Sequence, residues 1–266
     1  MKTAPQDLSR LESLLEIVAA LRAPGGCPWD REQTHQSLTP HALEEAAELV
    51  DAIDRGDKTH IQEELGDCLL QVVLHAQIAS EVGHFNWTDV VRTLNEKLVF
   101  RHPHVFGDVQ LGSAKEALEN WQKMKSLEKP KAEESMGGPT QLAALTRATK
   151  IGRKTKKLKF DWSETGPILD HLHSEIRELQ EALQKKDKAE IESEIGDMLF
   201  CMAQIARHED VDAEGALRRT NLRFEKRFQT MMALVLEKKL DWAALSDAQK
   251  EALWQEAKTK LKLTPP

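Results

Sequence analysis

Residues 44–67 read EEAAELVDAIDRGDKTHIQEELGD and residues 174–197 read SEIRELQEALQKKDKAEIESEIGD, two segments that align without a gap at an offset of 130 residues. Glu45, Glu48, Glu64 and Asp67 of the first fall on Glu175, Glu178, Glu194 and Asp197 of the second. In each copy, apolar positions at helical spacing flank a short polar turn at Asp57 or Asp187, which predicts a helical hairpin. Each acidic pair is three residues apart and projects from one helical face. If the two helices pack antiparallel about the turn, the pairs come level and four carboxylates converge. Such a cluster repels itself unless a cation joins it. An oxygen-only donor set suits Mg2+ or Mn2+ and not zinc. A lone E-x-x-E is ordinarily a solvated helix face, but two hairpins with identical spacing point to a metal site. Gly66 and Gly196 precede the aspartates in helix interior, at a cost of roughly 1 kcal/mol relative to alanine; a close backbone approach is the expected compensation.

Outward from the hairpins, the pattern stays helical. Apolar stripes predict helices over about 8–21, 39–54, 58–81, 88–101 and 113–127, with Thr39-Pro40 and Ser113 as starts and Gly56, Gly83 and His102-Pro103 as stops. Further helices are expected over about 140–157, 166–185, 187–208, 212–238 and 246–262. Alternating strand patterns longer than four positions are hard to find, so the fold class is all-α. A chain of 266 residues exceeds the usual size of a single small core. The segment EKPKAEESMGGPT at 128–140 is poor in apolar residues and rich in Pro, Gly and charge. The expected organisation is an N-terminal domain at 1–128, a linker at 129–139 and a C-terminal domain at 140–266.

The formal net charge of -7 excludes general attraction to nucleic acid or to an anionic membrane, so an anionic ligand needs local help. Cys27, Cys68 and Cys201 lack zinc-type spacing and read as free thiols of a reducing compartment. The first residues hold no apolar h-region and no stretch reaches membrane-span length, which predicts a cytoplasmic protein.

A second, shorter repeat follows each hairpin. Asn95-Glu96-Lys97 with Arg101 parallels Asn221-Leu222-Arg223 with Arg227, in both cases two cations four apart on one helical face. Alone they are surface charge; beside a carboxylate-metal cluster they are candidate phosphate ligands. Only the second hairpin follows a basic run, Arg147, Lys150, Arg153, Lys154, Lys156, Lys157 and Lys159, leading into Phe160-Asp161-Trp162. Lys150, Lys154 and Lys157 are taken as candidate polyphosphate contacts. Trp29 and Trp162, which lie ahead of the hairpins, read either as core aromatics or as base-stacking platforms. No G-x-x-x-x-G-K-[ST] loop is present, which argues against a P-loop NTPase.

These motifs resemble the MazG family of nucleoside triphosphate pyrophosphohydrolases, in particular its long two-domain bacterial members. The resemblance is carried by GCPWDREQT at 26–34, LEEAAELVDAI at 43–53, EELGDCLLQVVLHAQ at 63–77, RHPHVFGD at 101–108, KFDW at 159–162, EIGDMLF at 194–200 and NLRFEKRF at 221–228. It implies two repeated helical domains related to all-α NTP pyrophosphatases, a homodimer, Mg2+ dependence, and hydrolysis of NTPs such as ATP to monophosphate and pyrophosphate. Carried over residue by residue, it implies metal ligation by Glu175, Glu178, Glu194 and Asp197 in a catalytic second half, with Glu45, Glu48, Glu64 and Asp67 as a second set. Arg223, standing where lysine is also seen, and Arg227 would contact phosphate, Trp254 would contact the nucleotide, and Lys97 and Arg101 would be the first-half equivalents. Two alternatives remain at this level: a non-enzymatic nucleotide-binding regulator, and hydrolysis of a guanosine tetraphosphate alarmone.

Overall fold

The computed structural model describes residues 3–128 and 136–263, and among them every regular element is a helix. The chain divides into two compact units, Met1–Pro130 and Lys131–Pro266. The expected linker at 129–139 lies outside the described residues over 129–135.

The N-terminal unit contains α1 (Leu11–Arg22), α2 (Pro28–Glu32), α3 (Thr39–Arg55), α4 (Lys58–Glu81), α5 (Trp87–Arg101), α6 (Pro103–Phe106) and α7 (Ala114–Leu127). The C-terminal unit contains α8 (Ala144–Lys157), α9 (Thr165–Lys185), α10 (Lys188–His208), α11 (Ala213–Glu237), a 3-10 turn at Trp242–Ala244 and α12 (Asp247–Leu263). The expected long helices all form. The first begins at Leu11 and not near Leu8, because the Asp7 carboxylate accepts bonds from the Ser9 amide and hydroxyl and builds a local turn that competes with the helix. The helix expected from 140 begins at Ala144, after a turn closed by the Leu142 amide on the Pro139 carbonyl.

The hairpins α3–α4 and α9–α10 are built by one device used twice. The Asp57 carboxylate accepts from the Thr59 and His60 amides at 3.1 and 3.2 Å, and Asp187 accepts from Ala189 and Glu190 at 3.0 and 3.2 Å. Each satisfies amides that the first helical turn leaves unpaired. The helix before the turn ends in a left-handed residue, Gly56 at φ 71° in one copy and Lys186 at φ 56° in the other.

The two units pack differently around these hairpins. In the first, Val18, Leu38, Val73, Leu74 and Ile78 form an apolar core joined by Leu14, Leu15, Leu70 and Trp87. In the second, Met231, Leu234, Val235, Leu253 and Ala257 join α11 to α12. A buried polar layer docks α8 on α10: Gln204, with no exposed surface, donates to the Ala148 carbonyl at 2.9 Å and accepts from Arg207 Nε at 2.7 Å. Gly152 is required there, since a Cβ would lie 1.9 Å from Gln204 Oε1.

Candidate metal centres on the two hairpins

Antiparallel packing of α3 on α4 and of α9 on α10 brings three carboxylates together in each unit. Single oxygens of Glu45, Glu64 and Asp67 lie within 4.8 Å of one another, and so do those of Glu175, Glu194 and Asp197. Glu48 and Glu178, expected as fourth ligands, contribute no atom to these sets. They stay close enough for their charge to act: Glu48 on Glu45 and Glu64, and Glu178 on Glu194. Glu178 Oε1 instead accepts the Ser174 hydroxyl at 3.0 Å.

The electrostatics call for a cation. Burial first, and the neighbouring carboxylates after it, push Glu45, Glu64 and Glu194 above the ordinary glutamate value; for Glu194 a hydrogen bond shared with Glu175 adds to the shift. Glu64 Oε2 is buried without a hydrogen-bond partner. A hard divalent ion answers both conditions, because it supplies positive charge and accepts oxygen donors only. The donor set therefore fits Mg2+ or Mn2+.

Gly66 and Gly196 do not serve a close backbone approach. Nothing lies within 4 Å of a Cβ built at either position, so the side of the hairpin beside Asp67 and Asp197 is open space. The expectation failed because these glycines sit on the helix face turned away from the partner helix.

A tryptophan–histidine pair accompanies each cluster. In the second unit the His171 ring donates from Nδ1 to Glu175 Oε1 at 3.0 Å, and Trp162 meets it edge-on at 6.2 Å between centroids. In the first, Trp29 meets His41 edge-on at 6.1 Å, and the imidazole near the cluster is His60, 3.4 Å from Glu64. Trp29 is half exposed, so it is not a core residue. The short helix bearing Trp29 and the loop bearing Trp162 are fixed by buried arginines from different helices. Arg22 of α1 pairs with Glu81 at 2.9 and 2.8 Å and donates to the Asp30 and Gln33 carbonyls; Arg207 of α10 pairs with Asp161 at 3.0 and 2.5 Å. Sequence reading missed these pairs, although His41 and His171 share the 130-residue offset of the glutamates that follow them.

The candidate phosphate ligands differ between units. Arg227 forms no ion pair among the described residues, and the exposed Arg223 donates to Thr220 Oγ1 at 2.8 Å. Trp254 lies 5.0 Å from Phe224, which is exposed on α11, and completes an aromatic surface with Phe228. Lys150, Lys154 and Lys157 lie on α8, whose opposite face buries Ala148 and Gly152. In the first unit Lys97 is half-buried and Arg101 is engaged by Glu128.

Comparison of the sequence with known proteins points to one family. A family model described as the MazG nucleotide pyrophosphohydrolase domain matches residues 33–106 and again 165–232. A Thermotoga maritima protein named nucleoside triphosphate pyrophosphohydrolase/pyrophosphatase MazG is 43% identical over 249 residues, 93% of this chain and 95% of that one. The Escherichia coli K12 nucleoside triphosphate pyrophosphohydrolase is 40% identical over 257 residues, 94% of this chain and 98% of its own length. A solved MazG-related protein from Thermotoga maritima is 28% identical, covers 44% of this chain and 99% of its own, and superposes with a TM-score of 0.38. With its two matched domains and these full-length relatives, the chain belongs to the MazG nucleotide pyrophosphohydrolase family.

Proposed function

We propose that this protein hydrolyses nucleoside triphosphates, ATP among them, to monophosphate and pyrophosphate in a Mg2+-dependent reaction carried by the C-terminal unit. The observation that carries the reading is the meeting of Glu175, Glu194 and Asp197 within 4.8 Å in a unit whose Arg227 forms no ion pair among the described residues. Glu175, Glu194 and Asp197 would hold the ion, with Mn2+ as the alternative of the same oxygen preference. Bound there, it supplies Lewis acidity and neutralises phosphate charge.

The remaining work belongs to side chains. Arg227 and Arg223 take phosphate oxygens through their planar forks, and Lys150, Lys154 and Lys157 add positive charge along α8. Trp254 and Phe224 offer a ring surface to the base. His171 holds Glu175 in orientation through the 3.0 Å bond, and Trp162 backs the imidazole. Glu178, outside the ligand trio, is the carboxylate left to accept a proton from the attacking water.

A homodimer in the cytoplasm completes the reading. Leu65, Leu69 and Val72 on α4, and Ile195, Leu199 and Met202 at the equivalent positions of α10, form apolar stripes between 38% and 54% exposed, an arrangement that favours burial against another subunit. No described helix is long and apolar enough to cross a membrane. The direct test is product analysis on a panel of NTPs with Mg2+. Pyrophosphate and monophosphate in equal amounts are expected; orthophosphate and diphosphate would overturn the reading.

A further inference from the structure

Arg101 is the first unit's counterpart of Arg227, yet the two arginines are in opposite states. Arg227 has no ion partner among the described residues. Arg101 is gripped on two prongs: its Nε donates to Glu128 Oε1 at 2.7 Å and its Nη2 to Glu128 Oε2 at 2.7 Å. The guanidinium also lies over the Trp121 ring at 5.2 Å, and Lys125 Nζ lies 5.3 Å from the same ring. Arg101 closes α5, Trp121 and Lys125 belong to α7, and Glu128 directly follows α7. The helix packed on α5 thus brings its own carboxylate to the arginine. In the second unit, α12 sets Trp254 against Phe224 of α11, and its Glu256 pairs with Lys238 and not with Arg227.

Glu128 faces more than one cation. Hydrogen bonds from Arg101 first, and then the charges of Arg101, Lys97 and Lys125, hold its carboxyl below the ordinary glutamate range. Three cations therefore converge on one carboxylate. A site with that surplus is matched to an anion of higher charge. A guanidinium fork receives phosphate in the same two-pronged way that it receives carboxylate.

We propose that Lys97, Arg101 and Lys125 form a polyphosphate-binding site in the N-terminal unit, and that Glu128 is a built-in carboxylate occupying it. The ligand class is a nucleoside or inorganic polyphosphate. The proposal rests on the C-terminal reading only through the equivalence of Arg101 with Arg227. It accounts for the difference between the two carboxylate hairpins among the described residues: the first unit keeps its acidic trio while its arginine is already satisfied.

The test is calorimetric titration of the intact chain with α,β-methylene-ATP and Mg2+, a ligand that cannot be cleaved between the α and β phosphates. Wild type should bind one ligand per chain. Glu128→Gln, which removes the charge and keeps the shape, should bind two, and adding Arg101→Gln should return the count to one. Turnover by the C-terminal unit should be unchanged in Glu128→Gln. A count that stays at one in Glu128→Gln, or that is already two in wild type, overturns the proposal. If wild type binds none, the C-terminal reading has failed; the proposal then stands on whether Glu128→Gln binds one and falls if it binds none. Thermal unfolding is followed for each variant. Should Glu128→Gln not fold, Glu128→Asp, one methylene shorter and still charged, takes its place and should admit a second ligand more weakly; a single site there also overturns the proposal.

Discussion

Replacing Asp161 by asparagine should cost the C-terminal unit about 3–5 kcal/mol, the usual penalty for leaving one member of a buried ion pair without its partner. The size follows from the surroundings of Arg207. Its side chain is 4% exposed and that of Asp161 10%, so water cannot replace the lost carboxylate. Two of its guanidinium bonds go to Asp161 and one to Gln204 Oε1. An asparagine offers one acceptor and points a donor at a cation. For a unit of this size, roughly 4 °C per kcal/mol converts the loss into a fall of about 10–20 °C in Tm. Chemical denaturation followed by tryptophan fluorescence measures it directly. Arg207→Met alone should be similarly harmful, because it strands the carboxylate. The double variant should cost far less than the sum of the singles, since two neutral side chains pack where two stranded charges could not.

The same pair sets an acid limit. Asp161 lies below its ordinary value of 3.8, mainly through hydrogen bonds from Arg207. A carboxylate depressed in the folded state contributes stability that is present above the unfolded value and lost as pH falls through the folded one. Wild type should therefore lose stability below about pH 4 by a component that Asp161→Asn lacks. Strictly additive single variants, or a cost under about 1 kcal/mol for Asp161→Asn, would refute the view that this ion pair anchors the Trp162 loop.

Other outcomes follow from the two centres. Glu178→Gln or Asp197→Asn should reduce pyrophosphate release by at least about a hundredfold, whereas Glu48→Gln or Asp67→Asn should reduce it little; the reverse pattern in a steady-state assay would move the chemistry to the N-terminal unit. Gly196→Ala should stabilise the metal-free protein by up to about 1 kcal/mol, as helix propensity dictates where nothing crowds the added Cβ; a lowered unfolding midpoint would show that the open space is required by the fold. Leu199→Glu should shift the elution of the protein toward the monomer, and an unchanged dimer would remove the exposed α10 stripe from the interface.

Much of this protein was legible in local pattern. The turn aspartates Asp57 and Asp187, the helical spacing on either side of them and the 130-residue offset were enough to place two hairpins and to face their carboxylates, because capping and periodicity act over a few residues. The bounds of α4, Lys58–Glu81, were readable for the same reason. What pattern alone could not decide was how far each helix is rotated against its partner. That rotation puts Glu175, Glu194 and Asp197 together and leaves Glu178 to Ser174. It also turns Gly196 toward open space. Nor could spacing reveal that the Trp29 helix is held by Arg22 from α1 and the Trp162 loop by Arg207 from α10, or that Glu128 closes on Arg101 from 27 residues away. Each of those contacts joins separate elements through helix packing. A side chain's neighbours along the chain carry the information that starts, stops and orients its own helix, whereas the charge it finally meets is set by which other helix is packed beside it.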